Sequence, residues 1–425
     1  MPDHPTVPRT ATALRPEPGV PVRSPWILGV VLVNVGINVA FFGPLQVLLA
    51  QQAAYLEPGQ KEAMFALVTG AGAAVSVFSN PLAGALSDRT PGRFGRRRPW
   101  VLFGAVGGAV ALVALAGAPN VAFMTAMWCL VQAGCNSAYA AITAAVPDKV
   151  PVTQRGTVGG LASMGVTAGI LLGSVVAAAV AGNFSLGYLV CAAALLLGVI
   201  IYLLRADDAP ILRSSLAPFS LGKFVSSFWI SPRRYPDFAW AWITKLLVNI
   251  GNHMILLYLI YFLADRVHLE QTTGIAPATG VLILTGIYAV LVITTSVIGG
   301  RISDYMGKRK PLVIISSCII AAASLILAVV PTWAGALVAA SVLGIGFGAY
   351  MAVDFALVTQ VLPRAEDTGK DLGVINIANS LAQVVAPSIA YPFVAFLGGY
   401  VSLYVAAAVI GLLGAVFVTR IRSVA

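Results

Sequence analysis

The sequence predicts an all-α membrane protein. It has twelve transmembrane helices in two pseudo-symmetric six-helix bundles. Three observations carry this. First, 59% of the 425 residues are apolar and 10% are charged, whereas soluble domains carry roughly 25% charge. Second, the chain holds twelve apolar runs of about 20 residues, the length that crosses the hydrocarbon core as a helix. Third, one loop occurs twice. Residues 84–99 read GALSDRTPGRFGRRRP and residues 300–311 read GRISDYMGKRKP. Gly84 and Gly300 are 216 positions apart, as are Asp88 and Asp304, and Pro147 and Pro363. The second copy is four residues shorter, so Pro99 and Pro311 are 212 apart. A period of half the chain means two related halves, and in a chain this apolar two related halves point to a transporter.

The elements follow in order. Residues 1–25 are Pro-rich and polar, read as a disordered cytoplasmic tail with no cleavable signal peptide. The first bundle, 26–204, holds runs at 26–50, 63–87, 99–118, 121–146, 157–181 and 185–204. Residues 205–236 form a polar cytoplasmic linker. The second bundle, with a short tail, is 237–425, with runs at 237–264, 277–300, 311–330, 333–360, 373–397 and 400–420. With the N-terminus inside, 23 of the 26 Lys and Arg fall on cytoplasmic segments. Lys61 and Arg266 fall outside and Lys245 within a span. This bias orients a membrane protein and places both termini in the cytoplasm of a multi-pass protein of the cell (plasma) membrane.

Charge and cysteines exclude other classes. The net charge of +10 sits in short loops between apolar runs, which is the membrane pattern and not nucleic-acid binding. Cys129, Cys135, Cys191 and Cys318 lie in apolar runs with no metal spacing. No metal, no cofactor and no enzyme motif is expected.

Six plus six helices with a Gly-x-x-x-Asp-Arg loop between helices 2 and 3 resemble the major facilitator superfamily along the whole chain. The form DRTPGRFGRRRPW is similar to the glycoside–pentoside–hexuronide:cation symporters and the related sucrose–proton symporters. So is the stretch LPRAEDTGKDLGVINIANSLAQ. The resemblance implies a gate at this loop. Asp88 would dock at the helix starting near Asp371–Gly373, and Asp304 at the one starting near Thr157. A carboxylate is favoured at a helix N-terminus. Arg89, Arg96, Arg97 and Arg98 would pair across the cytoplasmic face, or serve only to set topology. Tyr305 stands where the first copy has Arg89, so the second latch is expected to be weaker.

Inside the membrane the charges are few. Of 16 acids only Asp354 lies well within a span, and of 26 bases only Lys245. Such charges are rare and usually functional. Each is about eight residues from a cytoplasmic helix end, roughly 12 Å deep. In the fold that the resemblance implies, helices 7 and 10 border one cavity. Lys245 and Asp354 are therefore expected to form an ion pair, which carries the transported proton or only ties two helices together.

Polar stripes recur in both halves. Lys245, Asn249, Asn252 and His253 share one face of helix 7. Shifted by 215, Asn34 falls on Asn249 and Asn38 on His253. Helix 4 carries Gln132, Asn136, Tyr139 and Thr143. Helix 11 carries Asn376, Asn379 and Gln383, and helix 10 carries Tyr350 one turn from Asp354. Amides both donate and accept, which suits a polyhydroxylated solute, with Trp240, Trp242 or Tyr258 offering a ring face. The plain alternative is that such amides bond neighbouring helices. His253 is a second group able to titrate near neutral pH. Sodium-coupled members of the resembled branch cluster acids on helices 2 and 4, and sucrose–proton members use an acid on helix 4. Both positions are empty of acids here.

Glycines cluster at Gly70/Gly72, Gly104/Gly107/Gly108, Gly159/Gly160 and Gly344/Gly346/Gly348, where helices can approach closely. Pro44, Pro81, Pro387 and Pro392 lie within spans. The resulting expectation is a monomeric secondary transporter moving a small polar organic solute, a sugar or glycoside, with protons. Proton-driven efflux of drugs or secondary metabolites is the alternative. It is disfavoured by the amide stripes and the absence of an acid in helix 1. A sensor that transports nothing is a third reading, and the intact Asp88–Arg89 loop argues against it.

Overall fold

The structure, a computed structural model, describes residues 20–422 except 93, 181, 206–221, 223–230, 307–308 and 362–367. It also leaves out the side chains of 152, 153, 155, 156, 304, 355, 356, 358–360 and 368–376. Among the described residues there is no strand and there are twelve helices long and apolar enough to span a membrane. They are α1 Ser24–Leu56, α2 Lys61–Ser87, α3 Arg98–Ala116, α4 Val121–Lys149, α5 Val152–Ala179 and α6 Phe184–Arg205. The second set is α7 Pro236–Arg266, α8 Pro277–Met306, α9 Lys310–Val329, α10 Trp333–Gln360, α11 Thr368–Phe396 and α12 Gly399–Val418. Each coincides with one apolar run. In the orientation that the basic loops lead one to expect, which the terms outer and cytoplasmic follow below, α1 and α7 run outward.

The repeated motif straddles a helix boundary. Its Gly-x-x-Ser part is helical, closing α2 at Ser87 and lying inside α8. Its terminal prolines, Pro99 and Pro311, sit in the first turns of α3 and α9. Proline is favoured there because the first-turn N–H has no helical partner. The opposite end of α4 is capped by Asn120, whose side chain accepts the Phe123 N–H at 2.9 Å. Two helices depart from regular geometry. α1 opens into a π turn at Pro44–Leu48. α7 breaks at Tyr258 and then forms a π turn at Phe262–Arg266. These irregular turns lie at the outer ends of the two repeat-related helices.

Packing repeats with the sequence. In the first set α1 packs on α5 and α6, α4 on α2 and α3, and α3 on α6. In the second α7 packs on α11 and α12, α10 on α8 and α9, and α9 on α12. The two sets meet along α2 with α11 and α5 with α8.

Glycines decide the closest approaches. A Cβ at Gly134 of α4 would lie 2.5 Å from the Gly104 carbonyl of α3. One at Gly198 of α6 would lie 2.4 Å from the Leu32 carbonyl of α1, and one at Gly169 of α5 2.6 Å from the Asn38 Cβ. Gly107, Gly159 and Gly160 face open space. So the Gly344/Gly346/Gly348 cluster serves close packing throughout, the Gly104/Gly107/Gly108 cluster in part and the Gly159/Gly160 pair not at all. Gly134→Ala and Gly198→Ala are expected to destabilise by about 1–3 kcal/mol, the usual cost of overpacking. Gly159→Ala should raise stability by up to about 1 kcal/mol through helix propensity. Thermal unfolding in detergent checks both signs.

Candidate functional site

The intramembrane charges meet. The Lys245 ammonium of α7 contacts Asp354 Oδ2 of α10. The Tyr350 hydroxyl, one turn away on α10, donates to Asp354 Oδ1 at 2.8 Å. Lys245 is 8% exposed and Asp354 7%. Both carboxylate oxygens therefore have partners, as a buried acid requires. Tyr350, expected to face a solute, is 1% exposed and donates its proton to the acid instead.

This pair belongs to one half only. Shifted by 215, as Asn249 falls on Asn34, Lys245 falls on Val30, and shifted by 216, as Pro363 falls on Pro147, Asp354 falls on Ala138. Val30 and Ala138 are fully buried. The first bundle is thus built without a charge at either place.

The amide stripes behave differently from the ion pair. The Asn34 amide donates to the Val30 carbonyl, Asn38 to Asn34 and Asn249 to Lys245, each at 2.8 Å and each four residues back along its own helix. Asn136 donates to the Gln132 carbonyl at 2.8 Å and to Gln132 Oε1 at 3.0 Å. His253 Nδ1 lies 2.8 Å from the Asn249 carbonyl. A carbonyl only accepts, so Nδ1 carries the hydrogen and Nε2 is left as the acceptor in the neutral ring. The four asparagines Asn34, Asn38, Asn136 and Asn249 donate through nitrogen and keep their oxygens for other use, whereas the Gln132 oxygen is taken by Asn136. The Asn252 Oδ1 is buried without a hydrogen-bond partner. On α11, Asn379 is half-buried and Gln383 exposed. The Asn376 side chain lies outside the described residues. Of the candidate ring faces, Trp240 packs on Phe417, centroids 5.3 Å apart, and Tyr258 is fully buried.

At the cytoplasmic end the motif arginines turn inward. Arg96 and Arg97 are 8% and 5% exposed. Both contact Asp148 at the end of α4, with Arg97 Nε 2.8 Å from Oδ2. Both also reach Asp88, and Arg97 donates to Ser87. Arg98 donates to the Leu203 carbonyl of α6 at 2.9 Å, and Arg89 to the Ala85 carbonyl at 3.0 Å. These bonds lie within the first bundle, where pairing across the cytoplasmic face was expected. The reason is Asp148, which stands one short step away and can hold two guanidinium groups at once. Arg309 repeats part of this design, donating to Ser303 at 2.8 Å. The side chains at the helix start expected to receive Asp88, Asp371–Gly373, and that of Asp304 lie outside the described residues.

The outer end holds a cluster that the sequence reading missed. Lys61 of α2 donates to both oxygens of Asp265 of α7, at 2.8 and 2.7 Å. The Tyr400 hydroxyl of α12 reaches the same carboxylate at 2.9 Å. The Tyr261 hydroxyl donates to the Ala50 carbonyl of α1 at 2.9 Å. Phe65 of α2 is fully buried with its ring edge-on to Tyr258 and Tyr261, centroids 5.9 and 5.6 Å away. Below it a buried network runs from the Tyr188 hydroxyl to Gln52, and from Gln52 to the Leu115 carbonyl, each bond 2.8 Å. The two bundles are thus sealed to each other on the outer side. One signal was available: Lys61 stood almost alone among bases on the outer face.

Comparison with known structures agrees with this architecture. A POT family transporter solved with a thioalcohol-conjugated peptide has a TM-score of 0.75 at 13% identity, covering 93% of this chain and 95% of that one. The nucleoside transporter NupG gives 0.74 at 13% identity, covering 93% and 99%. A bacterial homologue of the human lysosomal transporter Spinster, inward-facing and unoccupied, gives 0.67 at 17%, covering 94% and 96%. At such identities the likeness is one of fold. No curated protein matches the chain in sequence. The family model described as Major Facilitator Superfamily matches residues 28–285 and 268–424. Twelve spans, a packing pattern that repeats between halves, and a match over nearly the whole length make this chain a member of the Major Facilitator Superfamily.

Proposed function

We propose that this transporter moves a small polar organic solute, of the sugar or glycoside class, together with protons, and that Asp354 carries the proton. The observation behind this is the Lys245–Asp354–Tyr350 group. A charge pair deep in a membrane protein is costly, and the first bundle dispenses with it at Val30 and Ala138. Its presence in one half alone favours a role in transport over a role in holding the fold. The amide stripes of α1, α4 and α7 each retain acceptor oxygens, and the exposed Gln383 is costly against lipid, which favours a wetted space between the bundles. The Arg-Phe-Gly-Arg-Arg-Arg-Pro loop supports the glycoside and sucrose symporter branch.

In this reading the two bundles, 26–204 and 237–425, rock about the solute, joined by the 205–236 linker, in a monomer of the plasma membrane with both termini cytoplasmic. Asp88 and its arginines form the cytoplasmic gate, and the Lys61–Asp265 cluster forms the outer one. The test is proteoliposomes holding a pH dye, challenged from outside with mono- and disaccharides and with their carboxylate derivatives. Sugar-dependent acidification that is absent in Asp354→Asn is expected. Equal acidification in that variant would remove Asp354 from the coupling. Silence with every sugar, together with proton movement driven by amphiphilic drugs, would favour efflux instead.

A further inference from the structure

We propose that the solute carries a single carboxylate, which Lys245 receives when Asp354 takes up its proton. This rests on the reading of Asp354 as the proton carrier and concerns the class of its partner. The argument is one of charge. Among the described spans Lys245 and Asp354 are the acid and base well inside the membrane, and they neutralise each other. The empty site is therefore neutral. A proton alone leaves Lys245 as an uncompensated buried cation, and an anion alone leaves an uncompensated negative charge. Both half-loaded states are disfavoured in a low-dielectric site. A proton with a monocarboxylate restores neutrality. Empty and fully loaded sites are then the two states able to pass through the membrane interior, which is the condition for tight symport. A neutral solute with a proton gives a loaded site of charge +1, and the pair then imposes no such coupling.

The geometry permits the exchange. Tyr350 holds Asp354 Oδ1 while Lys245 holds Oδ2. Lys245 can leave the acid without stripping it of every partner. The ammonium has three donors, and the face it shares with Asn249, Asn252 and His253 places amide acceptors and donors beside it for hydroxyl groups. The other ionisable side chains on helices packed against α10 are neutral groups or peripheral. His253 and Tyr258 lie on α7, Tyr288 on α8 and Cys318 on α9. Arg301 of α8 is exposed and lies close to the end of its span at Ser303.

The test compares matched solutes on the wild-type protein in proteoliposomes with an internal pH dye. The pairs are glucose with glucuronate, lactose with lactobionate and glycerol with glycerate. The expected result is acidification with a carboxylate and not with its neutral partner, at a rate unchanged when a potential of about 100 mV is imposed. Lys245→Gln, checked for monodispersity in detergent, should weaken the apparent affinity for that carboxylate by about tenfold to a hundredfold, the value of one charge-assisted contact. Acidification by the neutral partner alone overturns the inference and leaves proton coupling standing. Carboxylate-driven flux that changes severalfold with the potential also overturns it. Proton movement with no solute of the panel overturns both readings. The wild-type comparison decides even where the variant does not fold.

Discussion

Lys245→Val alone and Asp354→Ala alone are each expected to destabilise the protein by about 3–5 kcal/mol, because each leaves an uncompensated buried charge. The double variant is expected to recover most of that stability. It reproduces the first bundle, where Val30 and Ala138 fill the corresponding places and are fully buried. Replacing a buried ion pair by apolar residues is often neutral or stabilising. Transport should not recover in the double variant. This combination, stability regained and activity lost, separates a transport role from a structural one. Unfolding in detergent and solute-driven proton flux in liposomes are the two readouts. A double variant that transports normally would reduce the pair to a helix tie. One as unstable as the single variants would show that the repeat argument fails.

The second large effect concerns the outer seal. Phe65→Ala is expected to shift the protein towards an outward-open form by several kcal/mol, whereas Lys61→Ala is expected to shift it little. Removing a fully buried Phe ring typically costs about 3–5 kcal/mol, and its edge-on contacts to Tyr258 and Tyr261 are lost with it. The Lys61–Asp265 pair has side chains 23% and 34% exposed. An ion pair that water reaches contributes at most about 1 kcal/mol. Apolar packing therefore outweighs the salt bridge, even though the salt bridge is the more conspicuous contact. Spin labels at the exposed positions Gln60 and Glu270 report the separation of the outer ends. A lysine variant that opens as far as the phenylalanine variant would reverse this ranking.

Much of the fold was legible because its signals are local or periodic. Each apolar run became a helix within a few residues, since length and hydropathy alone decide whether a segment can cross the bilayer. The main differences lie at the ends. α1 runs on to Leu56 through the π turn at Pro44–Leu48, and α8 continues to Met306 into the repeated motif. Neither changes the apolar pattern, so neither left a mark on hydropathy.

Partner choice was less legible. Lys245 and Asp354 could be matched because they were the sole deep acid and base, at equal depth. Arg96 and Arg97 had several acids within reach, and only the packing of α3 beside α4 puts Asp148 between them. The amides of Asn34, Asn38 and Asn249 bond back to their own helices. A carbonyl four residues behind is always available to a helical Asn, and no sequence pattern tells that use from reaching across to a neighbour.

Twelve spans, two related halves, a strong bias of bases to one side and one deep pair of opposite charges could all be read from the amino-acid sequence. These are properties of composition, spacing and depth along single helices. Which helix faces meet follows from the packing in three dimensions. It brought Phe65, Tyr258, Tyr261 and Asp265 together as an outer seal. It turned the motif arginines into their own bundle, and it gave Tyr350 to Asp354. Side-chain partners depend on the rotation and close approach of helices far apart in sequence, which glycines such as Gly134 and Gly198 set at the level of single atoms.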